Sequence, residues 1–152
     1  MAVGKAVRTP GAEWQAIVQK NGAKESAAAF ASNAALESSV MNGPCVGSET
    51  IASVFAAVAG GMYDSLTFTS EIGDGRKTYL EWEGKTFGKD VGGATILTRN
   101  EAGLIQSVRL YHRPLQIVLQ FSQELAKRLQ GKVDPSLFRA CVGGGQSPPS
   151  RD

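Results

Sequence analysis

The sequence is poor in the residues that build metal sites and disulfide frameworks. Its 152 residues include one histidine and two cysteines, Cys45 and Cys141. Two cysteines are too few for a disulfide framework or a zinc site, so we expect free thiols in a reducing compartment, with a single disulfide as the alternative. One histidine leaves no ligand set for a metal. The GxGxxG and Walker patterns are missing too, so we expect no cofactor.

Strong charge and long apolar runs are also missing. A formal net charge of +2, spread along the chain, is too small to indicate nucleic-acid binding. No apolar run is long enough to span a membrane, and residues 1–10 lack the apolar segment of a secretory signal. We therefore expect a cytoplasmic protein that binds neither a membrane nor nucleic acid.

The length of the chain suits one domain with a core of its own. We predict a flexible arm at residues 1–11, an α+β domain at residues 12–130 and a mobile tail at residues 131–152. The tail contains a run of three glycines and a Ser-Pro-Pro-Ser segment, which are typical of linkers. No helix follows the glycine run, so it is not interpreted as a phosphate site.

Four alternating segments organise the rest of the chain. Because successive side chains of a strand point to opposite faces, these segments predict strands that each have one apolar wall. The predicted strands cover residues 66–72, 78–84, 91–97 and 104–112, and a shorter one covers residues 35–41. Four acidic residues fall on the opposite phase of their strands: Glu37, Glu71, Glu81 and Glu83.

Helical spacing of apolar residues predicts the remaining elements. Helices are predicted at residues 12–20, 24–31, 48–59, with Ser48 as N-cap, and 115–130, after Pro114. Helices followed by antiparallel strands indicate an α+β fold with the helices on one face of the sheet. A curved, mostly antiparallel sheet covered by N-terminal helices, with a C-terminal helix, would form a cone-shaped half-barrel.

The inward phases predict a pocket with apolar walls and a few polar groups, which is typical of small-molecule sites. The predicted ligand-binding residues are Trp14, Val18, Phe55, Phe68, Leu80, Trp82, Val108 and Leu110. Ser38, Thr95 and His112 are the polar candidates on the same face. The same composition also fits a filled core without a cavity, so both interpretations stand at this point.

Several segments resemble the nuclear transport factor 2-like superfamily, most closely its SnoaL-like members. They are FASNAALES at residues 30–38, GSETI at 47–51, NEAGLI at 100–105 and RLYHRP at 109–114. The resemblance implies a cone with a deep apolar pocket, usually in a homodimer. Its relatives include ketosteroid isomerases, limonene-epoxide hydrolases, polyketide cyclases and scytalone dehydratases, so an enzyme would be a cofactor-free isomerase, lyase or hydrolase.

Catalytic carboxylates are absent from the predicted pocket. Matching to the steroid isomerases places their two acids at Ser38 (or Ser39) and Thr95, neither of which is a base at neutral pH. His112 is then the candidate base or acid, with Thr95 and Ser38 positioning a ligand oxygen. A bulge at Gly92-Gly93 would change the register and turn Glu81 or Glu83 inward.

Two further hypotheses belong to other classes of protein. The missing carboxylates favour a non-catalytic carrier or sensor of a small apolar or aromatic ligand. The outward phase favours an interaction surface, either for another protein or for a homodimer formed through the outer sheet face. The candidate residues there are Tyr79, Glu81, Ile105, Arg109, Tyr111 and Arg113. A solvated face with charged pairs is the alternative.

Overall fold

The computed structural model describes residues 9–18 and 26–138, and it has the α+β architecture expected from the sequence. In chain order the elements are α1 (Ala12–Val18), β1 (Phe30–Ser38), β2 (Cys45–Val46), α2 (Ser48–Ala59), β3 (Ser65–Asp74), β4 (Lys77–Thr86), β5 (Lys89–Arg99), β6 (Ile105–Arg113), α3 (Leu115–Arg128) and a 3-10 turn at Pro135–Leu137. Within these residues no helix is both long and apolar enough to cross a membrane.

The strands form one open, six-stranded mixed sheet in the order β2-β1-β6-β5-β4-β3. Strands β3 to β6 form an antiparallel meander, as the four alternating segments predict. β6 lies beside β1 and pairs with it in parallel, with Leu36 opposite Val108. Side chains from the helices and from one sheet face form a single core, so this face is the inner face of the cone.

Short turns connect the meander. Phe87 and Gly88, between β4 and β5, both have positive φ, at 56° and 73°. Two consecutive positive φ values define the tight hairpin turn whose twist matches that of its strands. Gly103 precedes β6 with φ 87°, which confirms the predicted left-handed position there.

The prediction for residues 24–41 was wrong in part. Alanine content favours a helix over residues 24–31, yet β1 begins at Phe30 and ends at Ser38. β1 lies between β2 and β6 in the sheet, so tertiary pairing outweighs a local propensity of a few tenths of a kcal/mol per residue. Residues 39–41, predicted as strand, form a turn in which Met41 N–H donates to Ser38 O. Residues 24 and 25 lie outside the described part.

The other helix predictions are close to the observed bounds. α2 covers Ser48–Ala59 as predicted, but Gly47 is its N-cap and no side chain caps it, so the capping role expected of Ser48 was wrong. α3 follows Pro114, as expected, and ends at Arg128. α1 starts at Ala12, and residues 19 and 20 of the predicted helix lie outside the described residues.

Two register shifts change which residues face the core. In β3 the pairing with β4 shifts between Phe68 and Ser70, so Ile72 stands opposite the outward Tyr79 and is 62% exposed. A second shift, between β5 and β6, buries Ile105 completely although alternation placed it on the outer face. A bulge adds one residue to one strand and therefore reverses the alternation beyond it.

The bulge considered at Gly92-Gly93 is absent. The pairing of β4 with β5 runs without a shift through Glu83 opposite Gly92 and Trp82 opposite Gly93. Glu81 and Glu83 consequently stay on the outer face, where they line a polar groove with Arg113. The possibility of an inward glutamate from this part of β4 is thereby removed.

The segment after α3 packs against the domain. Phe138 is buried, and the Asn42 side-chain amide donates to Ser136 O at 3.0 Å. Asn42 N–H also donates to Leu137 O at 2.6 Å. Residues 131–138, which the sequence assigned to the tail, thus contribute to the core, while residues 139–152 lie outside the described part.

Candidate functional site

A narrow cavity of about 70 Å³ lies between the helices and the inner face of the sheet. Its walls come from α1, α2, α3, five strands and two connecting segments, and most of the lining side chains are apolar. The lining residues are Trp14, Gln15, Val18, Leu36, Ser38, Val40, Met41, Val54, Phe55, Val58, Tyr63, Leu66, Phe68, Trp82, Thr95, Leu110, His112, Phe121 and Leu125.

Most of the predicted site residues meet around this cavity. They are Trp14, Val18, Phe55, Phe68, Trp82 and Leu110, together with the polar Ser38, Thr95 and His112. Leu80 and Val108, also predicted as ligand contacts, are buried in the core but do not line the cavity. Both residues occupy inner-face positions, so the alternation of the strands predicted that they are buried but not whether they line the cavity.

The strand register aligns the aromatic part of the site. Phe68, Trp82, Gly93 and His112 stand directly opposite one another across β3, β4, β5 and β6. A Cβ at Gly93 would lie 2.6 Å from Trp82 Cζ2 and would overlap the carbonyl oxygen of Tyr111. The missing side chain of Gly93 is therefore what admits the Trp82 indole beside His112.

Trp82 and Thr95 form a buried hydrogen bond. Trp82 Nε1–H donates to Thr95 Oγ1 at 3.0 Å, from β4 to β5. A buried indole N–H needs such an acceptor because leaving it unpaired costs about 1–3 kcal/mol. The Thr95 hydroxyl keeps its own proton as a donor, so it can still orient a ligand oxygen.

Burial strongly perturbs His112, an ionisable group of the cavity wall. It is 7% exposed, and desolvation lowers its pKa from 6.5 to about 4. The imidazole is therefore neutral at neutral pH and is a weak base. Its backbone N–H donates to Ser39 Oγ at 2.9 Å, and its ring packs on Phe121 with the centroids 4.7 Å apart.

Tyr63 completes the polar part of the site. Its hydroxyl lies 2.7 Å from His112 Nε2. Tyr63 is only partly buried by surface area, but the atoms around it desolvate its hydroxyl and raise its pKa above the usual range, so it stays protonated. A phenol is the better donor and an imidazole nitrogen the better acceptor, so we assign the proton of this bond to Tyr63.

This assignment fixes the tautomer of His112. With Nε2 accepting from Tyr63, the imidazole proton resides on Nδ1. Among the residues that the structure describes, Nδ1 has no hydrogen-bond partner although it is buried. Within the described residues, Nδ1 is thus a buried polar atom without a partner, and this tautomer makes His112 a neutral donor, whereas the sequence suggested a base or acid.

Sequence reasoning missed Tyr63. The residue lies between α2 and β3, outside any strand phase or helical stripe. Phe121 and Leu125, on α3, were also not expected at the cavity. A tyrosine between two buried elements usually has a hydrogen-bond partner for its hydroxyl. This general tendency is the one signal in the sequence that could have indicated Tyr63.

Charged groups lie away from the cavity in the described part of the chain. Glu37 pairs with Arg109 at 3.0 Å on the surface. Glu71 was expected on the outer phase, but the β3 shift sets it opposite the inward Leu80, and its carboxylate accepts from Gly11 N–H at 2.9 Å. No described residue group of three or more His, Cys, Asp or Glu could hold a metal.

Solved structures with the same architecture define the fold class. The chain has the cone fold of the nuclear transport factor 2-like superfamily, in the form found in SnoaL-like and ketosteroid isomerase-like proteins. The resemblance seen in the sequence is thereby confirmed for the fold. Neither a family model nor a curated protein matches the sequence.

Three of these structures show the extent of the similarity. A protein with a cystatin-like fold from Silicibacter pomeroyi has a TM-score of 0.72 at 23% identity, over 80% of this chain and 85% of that one. A steroid delta-isomerase from Pseudomonas aeruginosa has a TM-score of 0.69 at 18% identity, over 78% and 87%. A SnoaL-like family protein from Agrobacterium tumefaciens has a TM-score of 0.51 at 18% identity, over 66% and 92%.

Proposed function

We propose that this protein binds a small, mostly apolar molecule that carries one hydrogen-bond acceptor, such as a ketone carbonyl. The observation that carries the proposal is the buried Nδ1–H of His112 without a partner among the described residues. An unpaired buried donor costs about 1–3 kcal/mol, and an acceptor on a bound ligand would recover that cost. The apolar wall around it would hold the hydrocarbon part.

The volume of the cavity limits the ligand. An apolar cavity of about 150 Å³ holds benzene in another protein, whereas this one measures about 70 Å³. A steroid, the substrate class named for the Pseudomonas isomerase, is therefore too large for the cavity in this state. We infer a ligand whose buried part has only a few heavy atoms.

Binding of butanone tests this proposal. We expect butanone to bind about fivefold more tightly than the isosteric alkene in which a methylene group replaces the carbonyl oxygen, which corresponds to about 1 kcal/mol for one hydrogen bond. The chain has a single histidine, so heteronuclear NMR reports the ring nitrogens of His112 directly. Butanone should shift the Nδ1 resonance and the alkene should not.

A double variant provides the control. Substituting His112→Phe alone would release the Tyr63 hydroxyl as a new donor, so His112→Phe is combined with Tyr63→Phe. In that variant we expect butanone to lose its advantage over the alkene, because its carbonyl oxygen leaves water without gaining the His112 donor. Equal affinity for both ligands already in the unmodified protein, or an unmoved Nδ1 resonance, would contradict the proposal.

A cofactor-free isomerase is the second candidate. It is favoured by the neutral Tyr63–His112 pair, because a neutral imidazole can polarise a carbonyl as an electrophile. Removal of an α-proton also needs a base, and no described residue lining the cavity has a carboxylate. Exchange of ketone α-protons in heavy water separates the two functions: binding without exchange above buffer identifies a carrier, and exchange lost on His112→Phe identifies an enzyme.

The homodimer and the cytoplasmic location are further proposals. Tyr79 and Tyr111 are 39% and 46% exposed on the outer sheet face, beside Arg109 and Arg113. Tyrosine and arginine favour interfaces, so this face is our candidate for dimer contact or for a protein partner. A buried, free Cys45 agrees with a reducing compartment. Sedimentation of the protein with Tyr111→Glu tests the dimer.

A further inference from the structure

A second compartment adjoins the cavity on its helical side. This outer groove has a volume of about 220 Å³ and lies between α1, the end of α2 and the start of β3. Six residues line both compartments: Gln15, Val18, Phe55, Val58, Tyr63 and Leu66. The shared lining residues place the two spaces next to each other, so a ligand that reaches from His112 into the groove would not have to cross the sheet.

The two compartments differ in size and in polarity. The inner cavity, of about 70 Å³, is lined by His112, and the outer groove, of about 220 Å³, is about three times as large. Apolar side chains such as Val58 and Leu66 form much of the groove, and polar side chains, Gln15 and Ser65, also line it. A bulky ring beside the carbonyl would not fit the inner cavity, whereas an unbranched chain has the narrow shape that a ligand spanning both compartments would need.

We infer that the ligand is an extended molecule with a small carbonyl head in the inner cavity and an unbranched apolar tail in the outer groove. This inference rests on the proposed function, because it assumes that His112 binds the carbonyl. It goes beyond that function by assigning the outer groove as the site of the tail and by naming medium-chain methyl ketones as the matching class.

A series of methyl ketones tests the inference. Each methylene group moved from water into an apolar site should raise the affinity about fourfold. From butanone through methyl butyl ketone to methyl hexyl and methyl octyl ketone, we therefore expect a steady gain that levels off once the tail passes the groove. The fused-ring ketone decalone, with as many carbon atoms as methyl octyl ketone, should bind more weakly than butanone.

Two alanines of α2 provide a matched pair of variants. Ala59 lines the outer groove and not the inner cavity, while Ala56 lines neither, and both are exposed. Ala59→Trp should fill the groove and lower the affinity for methyl octyl ketone to the level of butanone, with butanone itself bound as before. Ala56→Trp should leave the whole series unchanged. Thermal melts of both variants check that they fold alike.

The outcomes separate this inference from the proposed function. Affinity that rises with chain length and is lost in Ala59→Trp alone supports the two-compartment site. If butanone binds but chain length has no effect, or if the two tryptophan variants behave alike, the outer groove is not a binding site and the proposed function stands. If no ketone binds, both are wrong.

Discussion

The two faces of the sheet are formed by the same strands but differ in how their polar groups are arranged. On the inner face Trp82 and Thr95 pair with each other, and His112 Nδ1 has no partner among residues 9–18 and 26–138. On the outer face charged groups such as Glu81 and Arg113 remain in water, where they line an open groove. The inner face thus has few polar groups, each in a defined position. The outer face has many, and they can replace one another. Substitutions should therefore have large effects on one face and small effects on the other.

The largest difference is expected between two glycines. Gly93→Ala places a methyl group against the Trp82 ring and the Tyr111 carbonyl, and overpacking against rigid groups should lower the free energy of unfolding by about 3 kcal/mol or more. Gly73→Ala, with its nearest atom 4.0 Å from the new Cβ, should change it by less than about 0.5 kcal/mol. Urea denaturation measures both, and equal losses would refute the role assigned to Gly93.

The pH dependence of stability should reveal the buried His112. Its pKa is about 4 in the folded protein and 6.5 when unperturbed, so the unfolded chain takes up a proton first as the pH falls. The free energy of unfolding should therefore decrease between pH 6.5 and pH 4, by about 3 kcal/mol in total. Denaturation of the unmodified protein and of His112→Phe across this window isolates the effect, and a decrease that persists in the variant would contradict it.

A smaller difference is expected between two threonines of β5. Thr95→Val removes the acceptor of the buried Trp82 indole and should cost about 1–3 kcal/mol. Thr98 stands on the opposite phase, so Thr98→Val should change stability by less than about 0.5 kcal/mol. The indole N–H resonance of Trp82 should move only in Thr95→Val, and a shift in both variants would argue against a specific bond.

The smallest effect is expected at the surface ion pair of Glu37 and Arg109. Both side chains are more than half exposed, at 52% and 55%, and pairs of this kind contribute about 0.5 kcal/mol or less. Glu37→Gln should accordingly lower the free energy of unfolding by no more than this, measured at low and at high salt. A loss above about 1 kcal/mol would show that the outer face is less tolerant than we infer.

The sequence predicted regular elements better than their exceptions. Period-two alternation identified four strands, and helical spacing identified α2 and α3 to within two residues. A bulge has no periodic pattern in the sequence, so the sheet faces predicted for Ile72 and Ile105 were wrong. β1 was missed at its start because an alanine-rich segment has helical propensity, while its strand conformation depends on partners about seventy positions further along the chain.

The residues of the candidate site also divide into those on regular elements, which the sequence predicted, and those outside them, which it did not. Inward phases identified His112, Thr95 and Trp82 because each lies on a regular strand. Tyr63 escaped because its hydrogen bond to His112 joins a connecting segment to β6, a contact that no local pattern encodes. The chemistry of His112 also depends on that bond and on burial, so the sequence alone could suggest a base or acid but could not indicate a neutral donor.

The parallel pairing of β1 with β6 has a consequence for synthesis of the chain. Leu36 meets Val108 only after almost the whole sheet has been made, and until then β1 has only the two-residue β2 as a strand partner. Contacts so distant in sequence slow folding, and an unpaired apolar strand is prone to aggregate. Emergence of β6 from the ribosome is therefore the step that completes the sheet, and nascent chains that stop before it should depend on chaperones.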